Sequence, residues 1–417
     1  MHNTSEYINA KNKYALIGVD TESALNTLSM LPISMHCWQG DDIRGFEAST
    51  SLDGGIQVTG NYPGAARNPD ELMADMDFAL SHIPGKHRIN LHAKYAIFEN
   101  GEFVDRDELK PHHFKKWVEF AKQRDLGIDF NPTYFAHPKA TGMTLSSADE
   151  NIRQFWIRHT IACIKIAEYF AKELNKPCLL NIWIPDGLKD IPADRLSPRA
   201  RLAKSLNQIL ACGYDKNLVY ISLESKVFGI GLESYTVGSN EFYTNYAAKN
   251  GLISLMDNGH YHPTESVADK IPSMLLFSEK IALHITRAIR WDSDHIVLFD
   301  DETRSIASEL VRCNALDRTF IGLDYFDASV NRIAAWILGM RNMQKALLYA
   351  LLTPWASMSE NQDAGRYTQL LVINEQLKTM PFVDVWNEFC RRSNVQLDCE
   401  WYNDITKYES EALSLRK

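Results

Sequence analysis

Several absences narrow this 417-residue chain before any motif is read. There is no basic surplus: 44 Lys and Arg stand against 53 Asp and Glu, for a formal net charge of -9. Nucleic acids and anionic membranes are bound by clustered cations that displace counterions, so neither partner is expected. No apolar run approaches the ~20 residues that span a bilayer. Residues 1–13 are polar and lack an apolar centre, so no secretory leader is expected. The seven cysteines (Cys37, Cys163, Cys178, Cys212, Cys313, Cys390 and Cys399) are scattered, odd in number and free of any C-x-x-C pair. Thiols placed this way read as reduced residues of a cytoplasmic protein, not as a disulfide framework. No glycine-rich phosphate loop follows the first strand candidate, which counts against a dinucleotide-binding fold.

What is present is an alternation. Short apolar, β-prone runs lie at 33–37, 89–92, 128–131, 178–184, 219–224, 252–257, 284–291 and 320–324. Helical patterns separate them at 68–82, 112–124, 148–174, 198–212, 241–249, 263–283, 302–316 and 329–352. Several open on capping signals, such as Asn68-Pro69-Asp70-Glu71 and Ser197-Pro198. Eight strand-then-helix units predict an α/β fold closed as a (β/α)8 TIM barrel, an architecture that exceeds the usual domain length as one unit. The barrel, with an N-terminal helical extension, is assigned to residues 1–352. Its glycine-rich loop at 45–66 is long enough to read as an active-site loop. Residues 353–417 read as an additional C-terminal helical region with exposed aromatics (Phe382, Trp386, Phe389, Trp401, Tyr402), an arm expected to pack on a neighbouring subunit or to seal its own barrel.

In such a barrel the strand C-termini share one face, where chemistry sits. Polar residues do end the strand candidates here: His36, His92, Asn131, Trp183, Glu224, Asp257, Asp292 and Asp324. The densest stretch runs from Leu255-Met256-Asp257-Asn258-Gly259-His260 through His284 and Trp291-Asp292-Ser293-Asp294-His295 to Gly322-Leu323-Asp324. Each group alone has an ordinary explanation. Asp292-Ser293-Asp294 can be turn chemistry, and Glu224 can pair with Lys226, Arg287 or Arg290. Together, seven ligand-type residues (Glu224, Asp257, His260, His284, Asp292, Asp294, Asp324) fall on four consecutive strands with only those three cations nearby. Buried charges must be paired, and a divalent cation is the partner that serves this many carboxylates and imidazoles. Seven donors exceed one ion's needs, so two sites are implied. Oxygen-rich sets without thiolate favour Mn²⁺, Mg²⁺ or Co²⁺ over structural zinc. A metal pair can chelate adjacent oxygens of a polyol and polarise a carbonyl. A metal-dependent hydrolase on the same barrel is the alternative enzyme class, but no clustered arginines or helix-terminal glycine run offers it an anion site. A barrel that merely binds a polyol or an ion is the non-enzymatic alternative.

Six long strings carry a family resemblance. They are Ser34-Met35-His36-Cys37-Trp38-Gln39-Gly40-Asp41-Asp42, Thr59-Gly60-Asn61-Tyr62-Pro63-Gly64, Asn181-Ile182-Trp183-Ile184-Pro185-Asp186-Gly187, Glu233-Ser234-Tyr235-Thr236-Val237-Gly238-Ser239-Asn240-Glu241-Phe242, Arg290-Trp291-Asp292-Ser293-Asp294-His295 and Gly322-Leu323-Asp324-Tyr325-Phe326-Asp327-Ala328-Ser329. On these the chain resembles the bacterial L-rhamnose isomerases, enzymes with a xylose-isomerase-like barrel, over essentially its whole length. The resemblance implies a homotetramer that interconverts L-rhamnose and L-rhamnulose with Mn²⁺, the first step of rhamnose catabolism. Co²⁺, Mg²⁺ or Zn²⁺ are conceivable substitutes. It further implies a structural ion on Glu224, Asp257, His284 and Asp324, and a catalytic ion on His260, Asp292 and Asp294. His92 matches a histidine near the ring oxygen, Trp183 a tryptophan wall, and Lys226 a lysine beside the catalytic ion. Substrate contacts are thus expected from His92, Trp183, Lys226 and Glu224, and catalytic roles from Asp292, Asp324, Lys226 and His92. Two cations favour a 1,2-hydride shift over an enediol, with a metal-bound water moving the proton between O1 and O2.

Overall fold

The computed structural model describes residues 4–40, 43–47, 60–99, 101–226, 233–289, 294–397 and 400–416. Asp41, Asp42, the greater part of the 45–66 loop, Arg290, Trp291, Asp292 and Ser293 lie outside the described residues. Eight strands close a barrel: β1 (Ile33–His36), β2 (His87–His92), β3 (Gly127–Asn131), β4 (Cys178–Ile182), β5 (Val219–Glu224), β6 (Ile253–Asp257), β7 (Ile281–Ile285) and β8 (Thr319–Leu323). Every neighbouring pair is parallel, and β8 returns to β1 through Ile33↔Ile321 and Ser34↔Gly322. A two-stranded ribbon of Gly187–Leu188 and Tyr235–Thr236 stands outside the barrel, antiparallel and between the β4 and β5 loops.

The strands form because both their faces are buried, so β-branched and aliphatic residues pack on either side. The helices form where an apolar stripe recurs every three or four residues. Glu150–Leu174 buries Phe155, Trp156, His159, Cys163, Ile166 and Phe170; the Asp149 side chain caps its start by accepting from Asn151 N, and Asn175, at φ 50°, ends it. Among the described residues, no helix is long and apolar enough to cross a membrane.

The seventh strand departs from expectation. It runs from Ile281 to Ile285, not over 284–291, and the helix expected to reach 283 is Val267–Phe277. The apolar residues Ile281, Ala282 and Leu283 continue a helical pattern read locally. In the barrel they pair with Leu255, Met256 and the strand beyond, which draws the strand start back to Ile281. His284 therefore sits near the end of the strand, not at its start.

The C-terminal helices Trp355–Asp363, Tyr367–Leu377, Phe382–Arg392 and Glu400–Glu411 follow the barrel's last helix, Arg332–Leu351. Trp386, Phe389 and Trp401 are buried in the same apolar core as the barrel helices, against the expectation that they are exposed. Their helices are amphipathic, and their apolar faces find partners in this chain. Tyr402, and Tyr367, Leu371 and Val372 on the helix Tyr367–Leu377, remain exposed. The chain's end is tied down as well: the Arg416 guanidinium meets the buried Asp75 carboxylate on the helix Pro69–Leu80, and Tyr408 Oη donates to the same carboxylate at 2.8 Å.

Side chains alternate along a strand, so residues two apart share a face. Ser34, Asn90, Asp129, Asn181, His284 and Gly322 line one small cavity inside the barrel. Two residues further on, at the C-terminal mouth, come His36, His92, Asn131, Trp183 and Asp324. Ser222, bonded to Asn181 inside the barrel, is followed in the same way by Glu224. This mouth layer, with His284 reaching it from the layer below, holds the chemistry.

Candidate metal centre

Four neighbouring strands deliver four donors. Glu224 ends β5, Asp257 ends β6, His284 is the last residue but one of β7, and Asp324 follows β8 directly. Register does part of the work, since Asp257 pairs with His284 across β6 and β7. One donor atom from each of the four lies within 4.8 Å of all the others. His284 Nδ1 is 3.1 Å from Asp324 Oδ2 and 3.4 Å from Glu224 Oε1.

The supports come from the same strand ends. Asn181 Nδ2 donates to Glu224 Oε2 and thereby orients it. Gly259 N donates to Asp257 Oδ1 at 2.6 Å. The Asn258 amide spans β6 and β7: its Nδ2 donates to Thr286 O, and its Oδ1 accepts from Thr286 N, each at 2.8 Å. His260, beyond this turn, places Nδ1 3.4 Å from Glu224 Oε1. Asp294 reaches the turn from the other side. A Cβ on Gly259 would stand 2.8 Å from Asp294 Oδ1 and 3.1 Å from Asp257 Oδ1, so the carboxylates converge only because residue 259 has no side chain.

The electrostatics are those of an anionic cage. Glu224 and Asp257 are buried, Asp324 nearly so, and no lysine or arginine among the described residues pairs with them. Burial raises the Asp257 carboxyl to about 7; the neighbouring His260 opposes that rise, while Glu224 and Asp324 add to it. Burial also raises Asp324. Burial would push His284 down, but the Glu224 and Asp324 carboxylates outweigh it and hold the imidazole well above its usual range. Glu224 ends below its ordinary value because His284, His260 and the Asn181 bond outweigh its burial. Asp324 Oδ1 is buried with no hydrogen-bond partner. Three carboxylates and an imidazole with so little compensating charge fit a hard or borderline divalent cation.

Comparison with known proteins agrees with this geometry. The family model for L-rhamnose isomerase (RhaA) matches residues 1–416. The chain belongs to the L-rhamnose isomerase family. It is 53% identical over 408 residues to an L-rhamnose isomerase of Mannheimia succiniciproducens, and 53% identical over 409 residues to one of Escherichia coli O157:H7; each match covers 98% of this chain and 97% of the relative. Among solved structures, an L-ribulose 3-epimerase superposes with a TM-score of 0.45 at 13% identity, covering 77% of this chain and 96% of its own, a likeness too weak to argue from.

The residues expected of an L-rhamnose isomerase fall as follows. Glu224, Asp257, His284 and Asp324 come together as one group. His260 and Asp294 adjoin it, and Asp292 lies outside the described residues. His92 is buried at the end of β2 with Nδ1 3.1 Å from Thr133 Oγ1, edge-on to Trp38 and Phe135. Burial, helped by the charges of His284, Arg106 and Lys94, holds its pKa well below the usual histidine value. Trp183 lies edge-on to Phe135 at 6.0 Å, and its buried indole N–H has no partner. Lys226, a candidate partner of Glu224 on sequence grounds, pairs with Glu233 instead. Glu233, Asn181 and Asn258 escaped the sequence reading. Asn258 stood next to a proposed ligand, and Asn181, a polar side chain inside an apolar strand, was the available signal. Glu233 opens one of the six family strings, but nothing local pairs it with Lys226.

Proposed function

We propose that the chain interconverts L-rhamnose and L-rhamnulose as a divalent-metal-dependent aldose–ketose isomerase. The observation that carries the reading is the convergence of Glu224, Asp257, His284 and Asp324 within 4.8 Å, in a chain of this family. These four would hold a structural ion, and His260, Asp292 and Asp294 a second, catalytic one. The donor chemistry favours Mn²⁺, with Co²⁺, Mg²⁺ or Zn²⁺ as substitutes. Bound there, divalent ions supply Lewis-acid polarisation of the sugar oxygens.

The remaining work belongs to side chains. From aldose to ketose, the C2–H bond breaks as its hydride moves to C1, while the O2 proton is relocated to O1. The hydride path is intramolecular, so the protein's share is alignment and charge placement. His92, kept neutral by burial, retains a ring lone pair that can take the anomeric hydroxyl proton and hand it to the ring oxygen as the C1–ring-oxygen bond breaks and the C1 carbonyl forms. Trp183 offers an apolar wall and an uncommitted indole N–H to the sugar. Asp324, with one oxygen that has no hydrogen-bond partner, suits a proton relay between O2 and O1, with Asp292 as the other candidate. Glu224 completes the substrate contacts; Lys226, whose three N–H groups are engaged by Glu233 and Pro185, would reach the sugar only by giving one of them up. The 45–66 loop would help to close the site.

The chain works as a cytoplasmic homotetramer in the first step of rhamnose catabolism, with residues 353–417 contributing an inter-subunit surface. The exposed Tyr367, Leu371 and Val372 support that surface, and sedimentation of the purified protein tests it. The activity itself is tested by offering metal-loaded protein a panel of aldoses and scoring ketose. L-rhamnose is expected to be turned over best, and no ketose from L-rhamnose would overturn the reading.

A further inference from the structure

Lys226 stands two residues beyond Glu224 and is buried. A buried ammonium beside buried carboxylates is drawn to the nearest of them. Pairing with Glu224 would occupy oxygens that the donor set needs. The structure sends the lysine elsewhere. Nζ donates to both oxygens of Glu233 at 2.6 Å and to Pro185 O at 2.8 Å, which accounts for its three N–H groups.

The partner is well anchored. Glu233 is itself mostly buried, with its side chain 14% exposed. Ser234 N donates to Leu188 O at 3.0 Å, Val237 N to Asp186 O at 3.0 Å, and Lys226 N to Gly238 O at 3.1 Å. These bonds, with the Gly187–Leu188 and Tyr235–Thr236 ribbon, fasten the segment carrying Glu233 to the β4 loop. The Asp186 carboxylate fixes Pro185 in turn, accepting from the backbone N and hydroxyl of both Thr144 and Ser146. A Cβ on Gly187 would stand 2.9 Å from Glu233 Oε1, so the carboxylate rests against a position that only glycine leaves open.

We infer that Glu233 is a positioning residue of the isomerase site: by holding Lys226 at the β4 loop, it keeps the ammonium off Glu224 and leaves Glu224 to the divalent ion. The inference rests on the metal role proposed for Glu224. Its consequence is a competition within the chain. Without the Glu233 charge, Lys226 turns to Glu224 and displaces the ion.

The test is calorimetric titration of chelator-stripped, full-length protein with Mn²⁺. Glu233→Gln is expected to weaken Mn²⁺ binding about ten- to hundredfold, the range seen when outer-shell support of a metal ligand is lost. Glu233→Asp, which keeps the charge, should recover most of that loss. The double variant Glu233→Gln/Lys226→Met releases no ammonium and should bind Mn²⁺ within about twofold of the parent. Unchanged Mn²⁺ affinity in Glu233→Gln would overturn the inference, and so would a double variant as weak as the single one. Thermal melting in chelator establishes that each variant folds. Should Glu233→Gln not fold, Glu233→Ala with and without Lys226→Met makes the same comparison. Failure of the underlying reading shows separately: Glu224→Gln that binds Mn²⁺ like the parent removes the ion from Glu224, whatever Glu233 does.

Discussion

Asp257 and His284 are register partners in the parallel ladder between β6 and β7. The pairing that closes the barrel therefore also sets a carboxylate beside an imidazole, with Glu224 and Asp324 on the flanking strands. A cage assembled this way is costly without a cation and stabilised by one. Asp257→Asn keeps the ladder and removes one of three crowded carboxylates. In chelator, the variant should melt at or above the parent. With Mn²⁺ in large excess the order should reverse, since a ligand at a hundred times its Kd contributes about 2.7 kcal/mol to whichever protein binds it. Turnover should drop by about two orders of magnitude. A variant that stays active and keeps its Mn²⁺-induced rise in Tm would remove Asp257 from the centre.

Chelation should abolish ketose formation in the parent, and Mn²⁺ should restore it. Where the hydrogen goes is a separate question with its own label. L-rhamnose deuterated at C2, converted in ordinary water, should yield ketose that carries the deuterium on C1. Loss of the label to solvent would mean that a base removes the C2 proton through an enediol, and the hydride shift would be wrong.

A pH effect on stability is expected away from the metal centre. His159 is fully buried on the helix Glu150–Leu174, and its ring Nδ1 lies 2.9 Å from Arg106 O. Burial lowers its pKa to about 3, partly offset by that carbonyl. The unfolded chain takes up a proton as pH falls through 6.5, while the folded chain does not until about 3. The stabilisation is therefore complete above 6.5 and lost progressively below it. His159→Asn keeps a donor for Arg106 O and removes the titration. The parent should lose up to about 1.4 kcal/mol per pH unit relative to this variant below pH 6.5. Parallel urea-unfolding curves from pH 7 to 5 would refute the assignment.

Asp75 holds the end of the chain. Its buried carboxylate accepts from Arg416, whose Nη2 lies 2.8 Å away, and from Tyr408 and Gln39. Asp75→Ala leaves the buried Arg416 guanidinium only the more distant Glu71 carboxylate, 3.6 Å from its Nε, and should cost about 2–4 kcal/mol, somewhat less than a fully unpaired buried charge. Chemical denaturation measures the loss directly, and a change below about 1 kcal/mol would mean that the pair is not a tie.

Two departures show where sequence reading stops. Read locally, Ile281 to Leu283 fit the preceding helical pattern as well as an extended one, and a strand starting at His284 is what the pattern predicts. Only pairing with β6 and β8 selects the extended form. Trp386, Phe389 and Trp401 looked like an exposed face until the helices that cover them were in place. In both cases a short apolar stretch is locally ambiguous, and a distant partner decides.

By itself, the sequence determined the number of strand–helix alternations, hence the barrel, and the chemical kind of residue at each strand end. Both follow from short-range periodicity and from the cost of burying charge, which act within a few residues. Tertiary structure alone decided which donors share a centre, that Asn181 and Asn258 brace them, and that Lys226 answers to Glu233 and not to Glu224. Charge pairing is a choice among partners by distance, and those distances exist only once the ladder register and barrel closure have brought remote strands side by side.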